Sequence, residues 1–176
     1  VSADAGVLPA ADVLMEPTPQ CLETETNSLG PFYRAGAPVR SNLVEPGMVG
    51  TLLTVSGRVR ATGCGPVGGA LIEVWQADDA GAYDNVGYLL RGQFNADALG
   101  NYVLETIVPG RYLNGATYRP SHIHVRVSAP GSVLLTTQLY FTGDPFNAVD
   151  GLFRPSLAMT LADTAVGGKI GSFDFV

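Results

Sequence analysis

"TLLTVSGRVRA", residues 51–61, decides the fold. Val55, Gly57 and Val59 fall on one side of an extended chain, with Ser56, Arg58 and Arg60 on the other. That two-residue period belongs to a half-buried strand. The same texture returns in "ALIEVWQA" (70–77), "YLLRGQF" (88–94), "NYVLETIV" (101–108) and "HIHVRVSA" (122–129), then in "VLLTTQLYF" (133–141), "SLAMTL" (156–161) and "KIGSFDF" (169–175). Each is short, rich in β-branched and aromatic residues, and bounded by Gly, Pro, Asn or Asp. No stretch carries a sustained helical stripe. Eight such segments predict an all-β domain, a β-sandwich of mostly antiparallel short strands joined by long loops.

The chain has 176 residues, enough for one well-packed domain. Apolar residues make up 46% and charged residues 15%, which selects a globule over a disordered chain. A net charge of -6 with a single lysine, Lys169, excludes a nucleic-acid surface and disfavours an anionic membrane. No apolar run is long enough to span a bilayer. Residues 1–29, rich in Ala, Pro, Asp, Glu and Thr, read as an extended N-terminal arm, and residues 30–176 as the domain. The opening VSADAG, without an initiator methionine, reads as a mature or trimmed product. Cys21 and Cys64 are the only cysteines. They fit one disulfide in a secreted protein or two unrelated thiols in a cytosolic one.

Two stretches invite motif readings that fail. "GCGPVGG" (63–69) contains G-x-G-x-x-G, but Pro66 interrupts it and a strand follows, so it reads as a hairpin-type loop. "GDPFNAVDG" (143–151) carries Asp144 and Asp150 but lacks the spacing of a calcium loop, and reads as a polar surface turn.

The only two histidines, His122 and His124, stand two apart in "RPSHIHVRV" (119–127). Side chains two apart on a strand point the same way, so both imidazoles can converge on one metal ion. A core histidine beside a surface one is the plainer alternative. Ferrous sites add a carboxylate, and none flanks the pair. Tyrosines do: Tyr112 and Tyr118 just before it, Tyr83 and Tyr88 further upstream. A phenol ionises at neutral pH only under a strong Lewis acid. Ferric iron is such an acid, and two phenolates with one hydroxide cancel its three charges. Most tyrosines in β-proteins are plain core or rim residues, and spacing alone does not choose among these.

"IEVWQADDAGAYDN", "GNYVLETIVPGRY", "RPSHIHVRV" and "TTQLYFTGDP" resemble, in order, the core motifs of the intradiol ring-cleavage dioxygenases, the family of the catechol, hydroxyquinol and protocatechuate dioxygenases. The resemblance runs from about Gly30 through "GSFDFV". It implies a β-sandwich and a non-haem Fe(III) cofactor held by Tyr83, Tyr112, His122 and His124, with Tyr112 and His122 axial. It implies that Arg119 and Gln138 stabilise negative charge on the substrate, that Tyr112 takes a substrate proton, and that Pro31, Phe32 and Tyr33 of "GPFY" line the pocket. Tyr88 and Tyr118 match no family ligand. The implied partners are a catecholic small molecule and O2, with ring cleavage between the two hydroxyl-bearing carbons to a cis,cis-muconate-type acid. A cysteine shortly before "GPFY" and another before "IEVWQ" resemble the compact secreted branch, which implies a Cys21–Cys64 disulfide and an extracellular setting, against a cytoplasmic alternative. The residues before the first strand lack the helical stripe of the catechol members' dimerisation region, and the subunit number stays open. Two other classes compete. One is a zinc-stabilised sandwich using Cys21, Cys64, His122 and His124; the other is a metal-free binding module.

Overall fold

The structure is a computed structural model that describes residues 20–176. The arm is therefore seen from Gln20 onward, and residues 1–19 lie outside the described residues. The strands are β1 (Leu52–Arg58), β2 (Leu71–Gln76), β3 (Arg91–Asn95), β4 (Asn101–Ile107), β5 (Leu113–Asn114), β6 (Thr117–Tyr118), β7 (His122–Ser128), β8 (Leu135–Phe141), β9 (Ala158–Met159), β10 (Ala162–Asp163) and β11 (Lys169–Ser172). One sheet runs β10-β11-β1-β4 and the other β3-β2-β7-β8-β9. Pairing is antiparallel except for β1 with β11 and β8 with β9. The sandwich expectation holds.

The alternation in β1 does what its pattern requires. Leu53, Val55 and Val59 are buried against the other sheet, while Ser56 and Arg58 face outward. Gly57 belongs to the same strand for a different reason. A Cβ there would meet the Phe173 carbonyl at 1.8 Å, so only glycine lets the C-terminal segment pass. From the second sheet, Ile72, Val74, Ile123, Val125 and Leu139 complete the core. Each such side chain stabilises the fold by roughly 1.5–3 kcal/mol on burial. Gln76 crosses between the layers, donating to the Ile107 carbonyl at 2.9 Å and accepting from Thr106 Oγ1 at 2.9 Å.

Three segments depart from the sequence reading. β3 starts at Arg91, because the residues before it are drawn into a turn whose Val86, Gly87 and Leu89 amides bond the Asp84 carboxylate. "SLAMTL" yields only the two residues of β9, after a 3-10 turn at Pro155–Leu157. Asn114-Gly115 turns the chain into the small β5–β6 hairpin, a signal present in "LNGATY" that the reading passed over.

Cys21 and Cys64 are joined by a disulfide, so neither is free to bind zinc as a thiolate. The bond closes a loop of sequence separation 43. Loop-closure entropy for that length stabilises the fold by about 4 kcal/mol. Urea unfolding with and without reductant should show a loss of about 3–4 kcal/mol, matched by Cys64→Ser. An unchanged midpoint would refute the contribution.

Candidate metal centre

Strand period and register build the site on the outer face of the second sheet. The inner face takes Ile123, Val125 and Leu139, so the opposite parity of the same strands turns His122, His124, Gln138 and Tyr140 outward. Register extends this across the sheet. Arg91 pairs with Trp75, Trp75 with His124, and His124 with Gln138, giving one row of four side chains from four strands. An outward face would ordinarily be wet, yet all four are buried.

The N-terminal arm, which in the structure runs on past residue 29 without entering a strand through Ala35, covers the row. Gln138 Nε2 donates to the Ser28 carbonyl at 2.8 Å. Gly30 lies on His124, in the left-handed region at φ 68°, and a Cβ there would stand 2.9 Å from His124 Cε1. Tyr33 packs edge-on to Trp75 at 5.0 Å, and Arg91 Nη1 donates to the Phe32 carbonyl at 2.6 Å.

Loops bring the tyrosines. Tyr83 follows β2 and Tyr112 follows β4. Tyr83 and Tyr112 ring centroids lie 5.7 Å apart, Tyr112 and His122 5.6 Å, Tyr83 and His124 6.1 Å, and His122 and His124 4.9 Å. Tyr83 Oη is 3.4 Å from His122 Nε2. His122 Nδ1 stands 2.7 Å from the Pro120 carbonyl, which places the proton on Nδ1 and leaves the Nε2 lone pair facing the tyrosines. His124 is fully buried and stacks on Trp75 at 4.9 Å and 7°. The Ser28 carbonyl lies beside its ring with a second lone pair free, although it accepts from Gln138, and neither His124 nitrogen makes a hydrogen bond of good geometry.

That orphaned imidazole is the site's most informative feature, because a buried polar group without a partner is costly. A metal ion on one nitrogen satisfies it, with the Ser28 carbonyl beside the ring as the acceptor for the proton on the other. The surrounding donors are two neutral imidazole nitrogens and two phenol oxygens. Among the described residues no cluster of three His, Cys, Asp or Glu side chains could hold a metal, so a carboxylate-rich site is absent there. The donor set therefore fits a hard, highly charged cation that favours anionic oxygen.

Electrostatics around the four rings agree. Burial, and then the Arg119 charge, pull His122 down to about 4, and burial, with His122 and Arg119 adding to it, holds His124 well below the ordinary imidazole value. Both imidazoles stay neutral at pH 7, as ligands must. Burial raises Tyr83, and neighbouring Tyr112 adds to this, while Arg119 and Arg91 oppose it. The phenol therefore ionises only when a stronger cation arrives. The folded metal-free protein resists protonation of His122 until about pH 4, whereas the unfolded chain takes that proton near 6.5. More protons bind the unfolded state in this window, so stability is fully present above pH 6.5 and is lost as pH falls towards 4. His122 alone removes roughly 3 kcal/mol. Urea unfolding of the metal-free protein at several pH values between 7 and 4 checks this; a flat profile would contradict it.

Arg119 is buried and fully engaged. Nη1 lies 3.2 Å from both Tyr112 Oη and His122 Nε2. Nη2 meets Gln138 Oε1 at 2.8 Å, Tyr140 Oη at 3.0 Å and Asp150 Oδ2 at 2.8 Å. Burial pulls its pKa down, but the Asp150 carboxylate and the Tyr112 oxygen outweigh that and hold the guanidinium charged. The expectation of a surface turn at 143–151 holds for the backbone, where Gly143, Pro145, Ala148 and Val149 are exposed, but not for its two carboxylates. The Asp150 carboxylate is buried in an ion pair with Arg119, and the buried Asp144 carboxylate accepts from Arg111 Nε at 2.9 Å and the Ser121 amide at 3.1 Å.

Of the other sequence candidates, Phe32 stacks on Tyr83 at 4.2 Å and stands edge-on to Tyr112 at 5.9 Å. Tyr33 instead turns to Trp75 and bonds Glu73 Oε1 at 2.9 Å, while Pro31 is exposed. Tyr88 bonds the Ala35 carbonyl, and Tyr118 packs on Phe146, away from the four rings. The sequence reading did not single out Trp75, Arg91, Tyr140 or Asp150 for the site. Parity with Gln138, two residues before it on β8, was the available signal for Tyr140.

Fold and site together define a β-sandwich protein with a two-tyrosine, two-histidine pocket on a covered sheet face. A family described as Dioxygenase matches residues 29–169. Catechol 1,2-dioxygenase of Candida albicans is 34% identical over 84% of this chain and 57% of its own length. Catechol 1,2-dioxygenase of Pseudomonas sp. (strain EST1001) is 32% identical over 86% and 54%. Among solved structures, the dioxygenase domain of a dioxygenase carbohydrate-binding protein fusion from Streptomyces sp. SirexAA-E superposes with a TM-score of 0.78 at 44% identity, covering 92% of this chain and 97% of that one. The 3-chlorocatechol 1,2-dioxygenase of Rhodococcus opacus 1CP gives a TM-score of 0.81 at 27% identity, over 86% and 71%. The chain belongs to the intradiol dioxygenase family. It spans little more than half the length of the curated relatives named here.

Proposed function

We propose that the protein cleaves catechol-type rings between the two hydroxyl-bearing carbons with O2, using one ferric ion held by Tyr83, Tyr112, His122 and His124. The observation that carries this reading is His124, buried among three further donors with both nitrogens unpartnered. The family relationship supports the same reading. The ion, when bound, supplies Lewis acidity and the redox partner that lets an electron-rich ring meet O2.

The chain's own residues do the rest. Tyr112 Oη, 3.2 Å from Arg119 Nη1, takes one catechol hydroxyl proton. Arg119, kept charged by Asp150, and Gln138, which accepts from Arg119, offer fixed positive charge and dipole to negative charge building on the substrate oxygens. Phe32, stacked on Tyr83, forms an apolar wall that orients a planar ring and keeps water from it. The Cys21–Cys64 disulfide and the resemblance to the secreted branch support an oxidising, extracellular compartment.

The test is oxygen uptake by iron-loaded protein with catechol, hydroxyquinol, chlorocatechol and protocatechuate. The reading expects one O2 consumed per catechol and a cis,cis-muconate-type dicarboxylate as product. No uptake with any of these, at full iron occupancy, would sink it and favour a binding module.

A further inference from the structure

Arg91 is fully buried, yet among the described residues it forms no ion pair. A buried cation without a counter-ion is an expensive feature. Its fork is spent entirely on main-chain carbonyls. Nη1 donates to the Phe32 carbonyl at 2.6 Å, while Nε and Nη2 both donate to the Asp84 carbonyl at 3.2 and 2.8 Å. The Asp84 carboxylate is turned away into its own loop, accepting the Val86, Gly87 and Leu89 amides. Arg91 thus joins two segments that are distant in sequence, the arm at Phe32 and the loop at Tyr83–Asp84. Phe32 and Tyr83 are the pair whose rings stack at 4.2 Å and 16°. The arm also reaches this loop further along, where Arg34 Nη1 donates to the Val86 and Gly87 carbonyls and the Ala35 carbonyl accepts from Tyr88 Oη, but Arg91 is the row residue that hydrogen-bonds both Phe32 and the residue next to Tyr83.

We infer that Arg91 is a positioning residue, a clamp whose three hydrogen bonds set the Phe32 wall against Tyr83 and so fix the substrate side of the pocket. This rests on the reading of Tyr83 as a ligand, and deepens it. A planar guanidinium can serve both carbonyls at once; a lysine ammonium of the same charge cannot span them with that geometry.

The first measurement uses the wild-type, metal-free protein and is independent of iron. Native-state hydrogen exchange in low urea should show the hydrogen-bonded amides of Asn27 and Gly30 in the arm and of Val86, Gly87 and Leu89 in the loop opening as one unit, before the amides of β7. Separate opening of the two segments, at different urea concentrations, would overturn the clamp. The second uses Arg91→Lys. Exchange in those two segments should rise at least tenfold with β7 unchanged, and catechol KM should rise at least fivefold with kcat within about twofold. In a Phe32→Leu background the KM effect of Arg91→Lys should vanish, because the wall it positions is gone. A uniform rise in exchange across the sheet, or an undiminished KM effect without Phe32, would make Arg91 merely structural. Failure of the ring-cleavage reading shows as absent turnover in the wild type, with the exchange result still legible.

Discussion

His124→Ala binds iron at well below one ion per chain and turns over catechol slower than wild type by at least on the order of 10³-fold. The expectation follows from what holds the imidazole. Its nitrogens make no hydrogen bond of good geometry, with only the Ser28 carbonyl beside the ring; Trp75 stacks on one face and the Gly30 backbone crowds it. Such a side chain has no structural duty that a metal does not explain. Removing it relieves an unpaired buried polar group, worth about 1–3 kcal/mol. The ring-sized cavity left beside Trp75 costs about 2–4 kcal/mol, so the metal-free protein should stay folded with a modest net loss of stability. Iron analysis, turnover and urea unfolding measured on the same preparation separate the two roles. Full iron occupancy in His124→Ala, or a loss of fold matching the loss of iron, would contradict the assignment.

Arg119→Met lowers kcat by about 10²–10³-fold while leaving iron content near one per chain. Its guanidinium touches Tyr112 Oη and His122 Nε2 without being able to ligate a metal itself. The substitution also strands the buried Asp150 carboxylate, which loses its only ion-pair partner among the described residues. Stability should therefore fall by about 3–5 kcal/mol, the usual penalty for halving a buried pair. Asp150→Asn is the control. It keeps acceptor and shape, relieves the stranded charge, and should lose activity less than Arg119→Met does. The double variant Arg119→Met/Asp150→Asn should recover much of the stability and none of the rate. Recovery of the rate would show that Arg119 acts only as a strut.

Much of the architecture was legible because each strand announces its own parity. The alternation in β1 predicts which side is buried, and the same rule turns His122 and His124 to a common face. What one strand cannot announce is register against another. Trp75, Gln138 and Arg91 join His124 in a row only after four strands pair, and their own segments read as ordinary strand residues. Asp150 was misread because turn chemistry and a buried ion pair share composition. "GDPFNAVDG" has the Gly, Pro, Asn and Asp of a surface turn, and only the folded chain shows that the carboxylate meets a guanidinium from a segment 31 residues away. The tyrosines lie on loops, where no period links Tyr83 to Tyr112. Their selection from among seven tyrosines came from the family resemblance, and their convergence comes from the fold.

The visible spectrum of the protein loaded with ferric iron tests the central claim most directly. Two coordinated phenolates predict a red to brown protein with a tyrosinate-to-iron band, weakened or shifted by Tyr83→Phe and by Tyr112→Phe separately. One bound iron per chain with no visible band, or a band that neither substitution moves, would contradict the account.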